Sequence, residues 1–138
     1  MFDHIQLTDA TFEKQFATCK LSPSLFTHEA HLRLAWIHIT KYGIKQALDT
    51  IQIQLQNFVA HANAADKYNK TLTIAATKAV YHFILQSKTT TFKEFITEHP
   101  RLLSNFRQLM EAHYSLDIFT SQRAKQYYIS PDLLPFDC

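Results

Sequence analysis

Hydrophobic side chains recur along most of the chain at alternating steps of three and four residues, which is the period of an amphipathic α-helix. The clearest example lies between Ile44 and Ala62, where polar residues occupy the opposite side. Its apolar members are Ile44, Leu48, Ile51, Leu55, Phe58 and Ala62. Consistent alternation of apolar and polar residues, the pattern of a strand, is absent. The pattern therefore predicts an all-α protein.

Helix caps, one glycine and the prolines divide this pattern into separate elements. Helices are expected after Thr8 or Asp9, from Thr27 to about Tyr42, from about Ile44 to Ala62, from about Lys70 to Ser87, from Phe92 to Glu98, and across Leu102 to Met110. Two prolines make residues 130–136 an extended tail. We predict a compact bundle of about five to six helices that forms a single domain over residues 1–138.

Composition narrows the classes of function. Gly43 is the only glycine among 138 residues, which excludes a glycine-rich nucleotide-binding loop. The formal charge of +2, from 14 basic and 12 acidic residues, is too balanced to indicate a nucleic-acid partner. No apolar run is long enough to cross a bilayer, and the first residues do not resemble a signal peptide. With Cys19 and Cys138 expected as free thiols, we predict a cytoplasmic protein without a membrane partner.

The second predicted helix carries the strongest candidate chemistry. His28, His31 and His38 recur on one stripe, and His28 and His31 share their side of the helix with apolar residues. They are therefore expected on the buried side. The opposite side, expected in solvent, carries Glu29, Arg33 and Thr40.

Two imidazoles one turn apart on a buried side require binding partners, because a buried polar group without a hydrogen bond destabilises the folded state. His28 and His31 are candidate ligands of a divalent transition metal or candidate catalytic acid–base groups. Alternatively, they only donate hydrogen bonds to backbone carbonyls or to a carboxylate. His61 is a candidate third ligand or a partner of the dipole at the end of the third predicted helix. His82 is expected at the periphery. The histidines expected at the surface are His4, His99 and His113.

A second group of polar residues lies at the start of the fourth predicted helix. Asn69 and Thr71 are both suitable helix caps. Asn69 and Thr73 also share one helix face, so they can line the same interior as the histidine pair, with Tyr68 at its rim. Tyr68, Asn69, Thr71 and Thr73 are thus candidate ligand-binding residues.

Three segments in order resemble a family of small uncharacterised bacterial proteins. Residues 26–36, FTHEAHLRLAW, resemble its F-x-H-x-x-H-L-x-x-A-W segment, and residues 67–73, KYNKTLT, resemble its K-Y-H-x-T-x-T segment. Residues 114–124 and 131–133 resemble its closing segment. The resemblance groups His28, His31, Tyr68, Thr71 and Thr73 in one site. It implies no particular activity.

The chain departs from that family pattern at Asn69, where the pattern has histidine. Asparagine binds transition metals weakly but can hydrogen-bond a substrate, which favours a polar small-molecule pocket over a metal site with three histidines. The first hypothesis is therefore a small ligand-binding protein or enzyme. The alternative is a non-catalytic interaction or regulatory protein with structural histidines, in which exposed Leu34 and Ile37 contribute to a homodimer or partner surface.

Overall fold

In the computed structural model, which describes residues 3–138, all regular structure is helical. The all-α prediction is confirmed, and this described part contains eight α-helices rather than five to six. They are α1 (Asp9–Ala17), α2 (His28–Tyr42), α3 (Ile44–His61), α4 (Lys70–Leu85), α5 (Phe92–Glu98), α6 (Arg101–Ser104), α7 (Phe106–His113) and α8 (Gln122–Gln126). Short 3₁₀ turns add His4–Gln6, Pro23–Leu25 and Ala65–Lys67.

Local signals in the sequence fix several of these boundaries. Three side chains act as N-caps by accepting a hydrogen bond from a backbone amide in the first turn of their helix. They are Thr27, Asn69 and Thr91. Gly43 ends α2 and begins α3 at φ 88°, a conformation that glycine adopts without a steric penalty. The predicted starts of α2 and α4 therefore follow from single side chains.

The helix expected across Leu102 to Met110 is divided in two. Asn105 has φ −129° and ψ 31°, outside the helical region, and it separates α6 from α7. The Asn105 side chain donates a hydrogen bond to Gln108 at 2.8 Å and accepts one from the Ser104 hydroxyl at 2.9 Å. These local hydrogen bonds compete with the backbone hydrogen bonds of a continuous helix. The apolar period runs on through Asn105, so it does not reveal this interruption.

The chain divides into two compact units, Met1–Tyr68 and Asn69–Cys138. The first contains α1, α2 and α3, and both α1 and α3 pack against α2. The apolar period across α2 predicts one buried stripe, yet α2 is buried on nearly all sides over its central turns. The expectation that Leu34 and Ile37 are exposed is therefore wrong. Its buried residues are Ala30, Leu32, Arg33, Leu34, Ala35, Trp36, Ile37, His38 and Ile39.

The second unit contains α4 to α8, with α8 packed on α4. After Gln126 the chain forms no further helix or strand. This C-terminal segment, residues 127–138, is hydrogen-bonded to the rest of the second unit. One of these bonds is donated by the Tyr114 hydroxyl to the Ile129 carbonyl at 2.8 Å. Across the described residues, no helix is both long and apolar enough to span a membrane.

Candidate functional site

The two histidines that the sequence singles out lie in the first turn of α2. Thr27 caps this helix by accepting a hydrogen bond from the Ala30 amide at 3.3 Å, so that the helix begins at His28. Both His28 and His31 are exposed to solvent, and the prediction that they are buried is wrong. A helical wheel gives the direction of a side chain but not its depth, and this first turn precedes the buried centre of α2.

The His31 ring packs on one side against aromatic residues of the first unit. It meets the Phe26 ring at a right angle, with ring centroids 3.9 Å apart, and Phe26 in turn contacts Phe16 and Phe58. Desolvation of the packed side, and secondly the nearby His28, lower the pKa of His31. The other side of the ring remains in water. His31 is therefore a neutral imidazole near pH 7, the form that binds a metal or accepts a proton.

A metal site would need ligands beyond this histidine pair. Among residues 3–138, no group of three or more His, Cys, Asp or Glu side chains is arranged to hold a metal ion. His61, the third candidate ligand, is exposed in the last turn of α3. The roles of His28 and His31 as metal ligands or catalytic groups stay predictions.

Asn69 is a structural residue at the start of α4. Its Oδ1 accepts from the Leu72 amide at 2.9 Å, and its Nδ2 donates to the Ile118 carbonyl at 2.7 Å. The side chain is buried, with 7% of its surface exposed. Thr73 donates its hydroxyl to the Asn69 carbonyl at 2.7 Å. These partners give Asn69 a reason to be asparagine, because its one amide group both caps a helix and binds a buried carbonyl.

Thr71 joins α4 to the C-terminal segment. Its hydroxyl donates to the Tyr127 carbonyl at 2.7 Å and accepts from the Ile129 amide at 3.0 Å. The fourth candidate ligand-binding residue, Tyr68, is half-buried at the end of the first unit. Asn69, Thr71 and Thr73 thus have internal partners in the second unit, whereas Tyr68 belongs to the unit that holds the histidine pair.

Arg33 is buried, although the sequence pattern places it in solvent. Only 5% of its surface is exposed. The guanidinium donates to the His4 carbonyl, to the Leu7 carbonyl at 2.7 Å and to the Asp9 carboxylate at 2.9 Å. Its Cζ also lies 4.9 Å from the centroid of the Phe12 ring. Arg33 therefore ties the start of the described chain and α1 to α2.

His4, expected at the surface, is 1% exposed and belongs to the same group. Its Nδ1 lies 3.4 Å from the Arg33 guanidinium, and its Nε2 lies 2.8 Å from a Glu29 carboxylate oxygen. Because a guanidinium only donates, Nδ1 accepts and the proton of a neutral ring lies on Nε2. Both nitrogens are occupied, so the group formed by His4, Glu29, Arg33 and Asp9 stabilises the first unit. No local pattern predicts contacts over 24 or more residues.

His38 differs from the other buried polar residues because it has no hydrogen bond. It is 1% exposed, and neither ring nitrogen has a partner among the described residues. Desolvation lowers the pKa of the imidazole, and Lys41 lowers it further, while the Glu13 carboxylate opposes the shift. The sequence places His38 at the edge of the apolar side, and only the packed structure buries it.

The second unit contains a partly open cavity of about 490 Å³. Its walls are α4, α7, Arg101 of α6 and the C-terminal segment, and its lining is mostly apolar. The lining residues are Ala79, His82, Phe83, Gln86, Arg101, Leu109, Ala112, His113, Leu134, Pro135, Phe136 and Asp137. Sequence reasoning missed this site. The available signal was the same helical spacing in two places, Ala79-x-x-His82-Phe83 and Leu109-x-x-Ala112-His113.

His82 is held in one orientation at the cavity rim. Its Nδ1 lies 2.6 Å from a carboxylate oxygen of Asp137, and its Nε2 lies 3.1 Å from the side-chain nitrogen of Gln86. A carboxylate accepts and an amide nitrogen donates, so the proton of the neutral ring lies on Nδ1. The expected peripheral histidine therefore connects α4 to the C-terminal segment at the cavity.

His113 fixes the same segment from the other side. Its Nδ1 donates to the Leu134 carbonyl at 2.7 Å, its own carbonyl accepts from the Leu133 amide at 3.0 Å, and its ring stacks on Phe136 at 4.2 Å. Nearby, the Asp132 carboxylate accepts from the Ser115 amide at 2.9 Å. The C-terminal segment is thereby a fixed wall of the cavity.

A comparison of the chain with protein-family models, curated proteins and solved structures found no match. The resemblance to a family of small bacterial proteins therefore stays a prediction.

Proposed function

We propose that the protein binds a small organic molecule in the cavity of the second unit. The observation that carries this proposal is a cavity of about 490 Å³ with a mostly apolar lining and a few polar groups. Ligand sites in proteins have this size and composition. The proposal keeps the ligand-binding function expected from the sequence but supports it with a different set of residues, centred on His82, Arg101 and His113.

The fixed orientation of the rim residues supports a preformed site. His82 and His113 each have a ring nitrogen bonded to the C-terminal segment, at 2.6 Å and 2.7 Å. A site whose polar groups are already oriented loses less entropy when a ligand binds. The C-terminal wall therefore contributes to affinity by holding the cavity open in one shape.

A fluorescence titration with the neutral dye phenylnaphthylamine tests this proposal. The dye emits strongly in apolar surroundings and carries no charge, so that its binding reports the apolar cavity itself. Ala112 is exposed on α7 and lines the cavity, and Ala112→Phe places a ring in that space. The matched control is Ala60→Phe, which changes an exposed alanine of α3 in the first unit.

We expect saturable binding of one dye molecule to the wild-type protein and to Ala60→Phe. Ala112→Phe should weaken it by about tenfold or more, because a filled cavity removes most of the apolar contact. Circular dichroism confirms that each variant is folded. Equal binding by Ala112→Phe and wild type, or no saturable binding by the wild type, would overturn the proposal.

A second candidate function is metal binding by the histidine pair of α2. The observation that favours it is that His28 and His31 lie three residues apart in the first turn of α2, where both are open to solvent. Both side chains are exposed, and neutral imidazoles three residues apart on a helix can share one transition-metal ion.

Calorimetric titration with zinc and elemental analysis of the untagged protein test this second candidate. A single zinc equivalent that is lost in the His28→Ala, His31→Ala double variant would support it. Zinc binding that is unchanged in the double variant, or absent from the wild type, would refute it.

A further inference from the structure

We infer that the cavity of the second unit selects an organic carboxylate with an apolar body, and that Arg101 binds its carboxylate. This inference rests on the proposed function and adds the chemical class of the ligand. It follows from the charges at the cavity, from which of them are already paired, and from the apolar surface beneath them.

The two charged residues of the lining differ in their partners. Asp137 is paired, since one of its oxygens lies 2.6 Å from Nδ1 of His82. Arg101 is exposed at the start of α6, and no acidic side chain within residues 3–138 forms an ion pair with it. The cavity therefore offers a guanidinium without an acidic partner, whereas its carboxylate is already hydrogen-bonded to His82.

The guanidinium of Arg101 suits a carboxylate in particular. Its planar N–H groups match the two oxygens of a carboxylate, and such paired hydrogen bonds are among the stronger ones in proteins. A ligand amine would instead meet Arg101 as a like charge. It could bond only the other oxygen of Asp137, because one oxygen already accepts from His82. A carboxylate, by contrast, can bond the whole fork of the Arg101 guanidinium, so the lining favours an organic anion over an organic cation.

The remaining lining accepts the apolar part of such a ligand. Phe83 and Leu109 come from α4 and α7, and Phe136 comes from the C-terminal segment. Phe136 is held by stacking on His113 at 4.2 Å. These aromatic and aliphatic side chains favour a ligand with a ring or branched chain, because burying that surface supplies most of the binding free energy.

Three probes of nearly equal shape test the inference: phenylbutyrate, its neutral amide phenylbutyramide, and phenylbutylamine. Calorimetry measures their affinities for the wild-type protein, and backbone NMR shifts at Ala79 and Ala112 show whether they occupy the cavity. Arg101→Gln removes the charge. The matched control is Arg123→Gln, an exposed arginine of α8 that does not line the cavity.

We expect phenylbutyrate to bind about tenfold more tightly than the amide, and phenylbutylamine to bind most weakly. Arg101→Gln should remove the preference for the acid by weakening acid binding alone, whereas Arg123→Gln should keep it. If the amide or the amine binds as tightly as the acid, or if Arg101→Gln keeps the preference, the inference is wrong while the proposed function stands. If no probe shifts the cavity residues, both are wrong.

Discussion

Replacing His38 with leucine should stabilise the protein, because His38 is a buried imidazole without a hydrogen bond. The side chain is 1% exposed, and both ring nitrogens lack partners among the described residues. Leucine has a similar volume and no polar atom. The substitution therefore keeps the packing of α2 while it removes two groups that lose their hydrogen bonds to water when the protein folds.

The size of the effect follows from these two nitrogens. An unsatisfied buried polar group costs about 1–3 kcal/mol. Against this gain stand the change from a planar ring to a branched chain and the loss of the contact with the Tyr42 ring, at 5.5 Å between centroids. Imperfect replacements of similar volume cost up to about 1.5 kcal/mol. Two such groups cost about 2–6 kcal/mol together, so we expect a net increase of at least about 0.5 kcal/mol in the free energy of unfolding near pH 7.

The advantage of leucine should grow when the solution is acidified. Burial lowers the pKa of His38 in the folded protein, whereas the unfolded chain takes up the proton at the ordinary value of about 6.5. Below that pH the unfolded state binds more protons, so the wild type loses stability as the pH falls. Lys41 strengthens this effect and Glu13 weakens it, by their charges. His38→Leu removes the dependence on this group.

Urea unfolding followed by circular dichroism, at several values between about pH 7.5 and pH 5, measures both effects. His61→Leu is the matched control, because it changes an exposed histidine at the end of α3. We expect the control to leave the free energy of unfolding within about 0.5 kcal/mol of wild type. If His38→Leu destabilises the protein at every pH, or follows the wild-type pH dependence, the imidazole has a stabilising partner and the reasoning is refuted.

Three further substitutions test buried hydrogen bonds of the packed structure. Asn69→His removes the cap of α4 and the donor to the Ile118 carbonyl, and it should cost about 1–3 kcal/mol in urea unfolding. Thr71→Val keeps the shape but leaves the Ile129 amide without its acceptor, and it should cost about 1–2 kcal/mol in the same assay. Arg33→Met leaves buried carbonyls without donors. It should reduce the free energy of unfolding by about 2–4 kcal/mol, which a lower thermal midpoint would show.

Matched controls exist for two of these variants. Thr97→Val alters an exposed threonine of α5, and Arg123→Met alters an exposed arginine of α8. Both should change the free energy of unfolding by less than about 0.5 kcal/mol. Stabilities of Thr71→Val or Arg33→Met that match those of their controls would show that the buried hydrogen bonds contribute little. An Asn69→His variant as stable as wild type would contradict the capping role of Asn69.

The candidate binding site can be predicted from the sequence only in part. The spacing of His82 and His113 beside apolar residues is visible in the sequence, but nothing in it pairs these two helices with each other or with Asp137. His28 and His31 lie on the stripe that the spacing indicates, but their depth was predicted wrongly, since both side chains are exposed although Ala30 between them is buried.

The sequence by itself determined the all-helical class and the positions where several helices begin and end. These features depend on neighbouring residues: the apolar period of α3, the caps Thr27 and Asn69, and the glycine at position 43. Only the tertiary structure decided which polar side chains are buried. Arg33 and His38 lie inside because distant segments cover them, and contacts over such separations leave no local periodicity. The same physical limit hid the cavity, whose walls come from segments far apart in the chain.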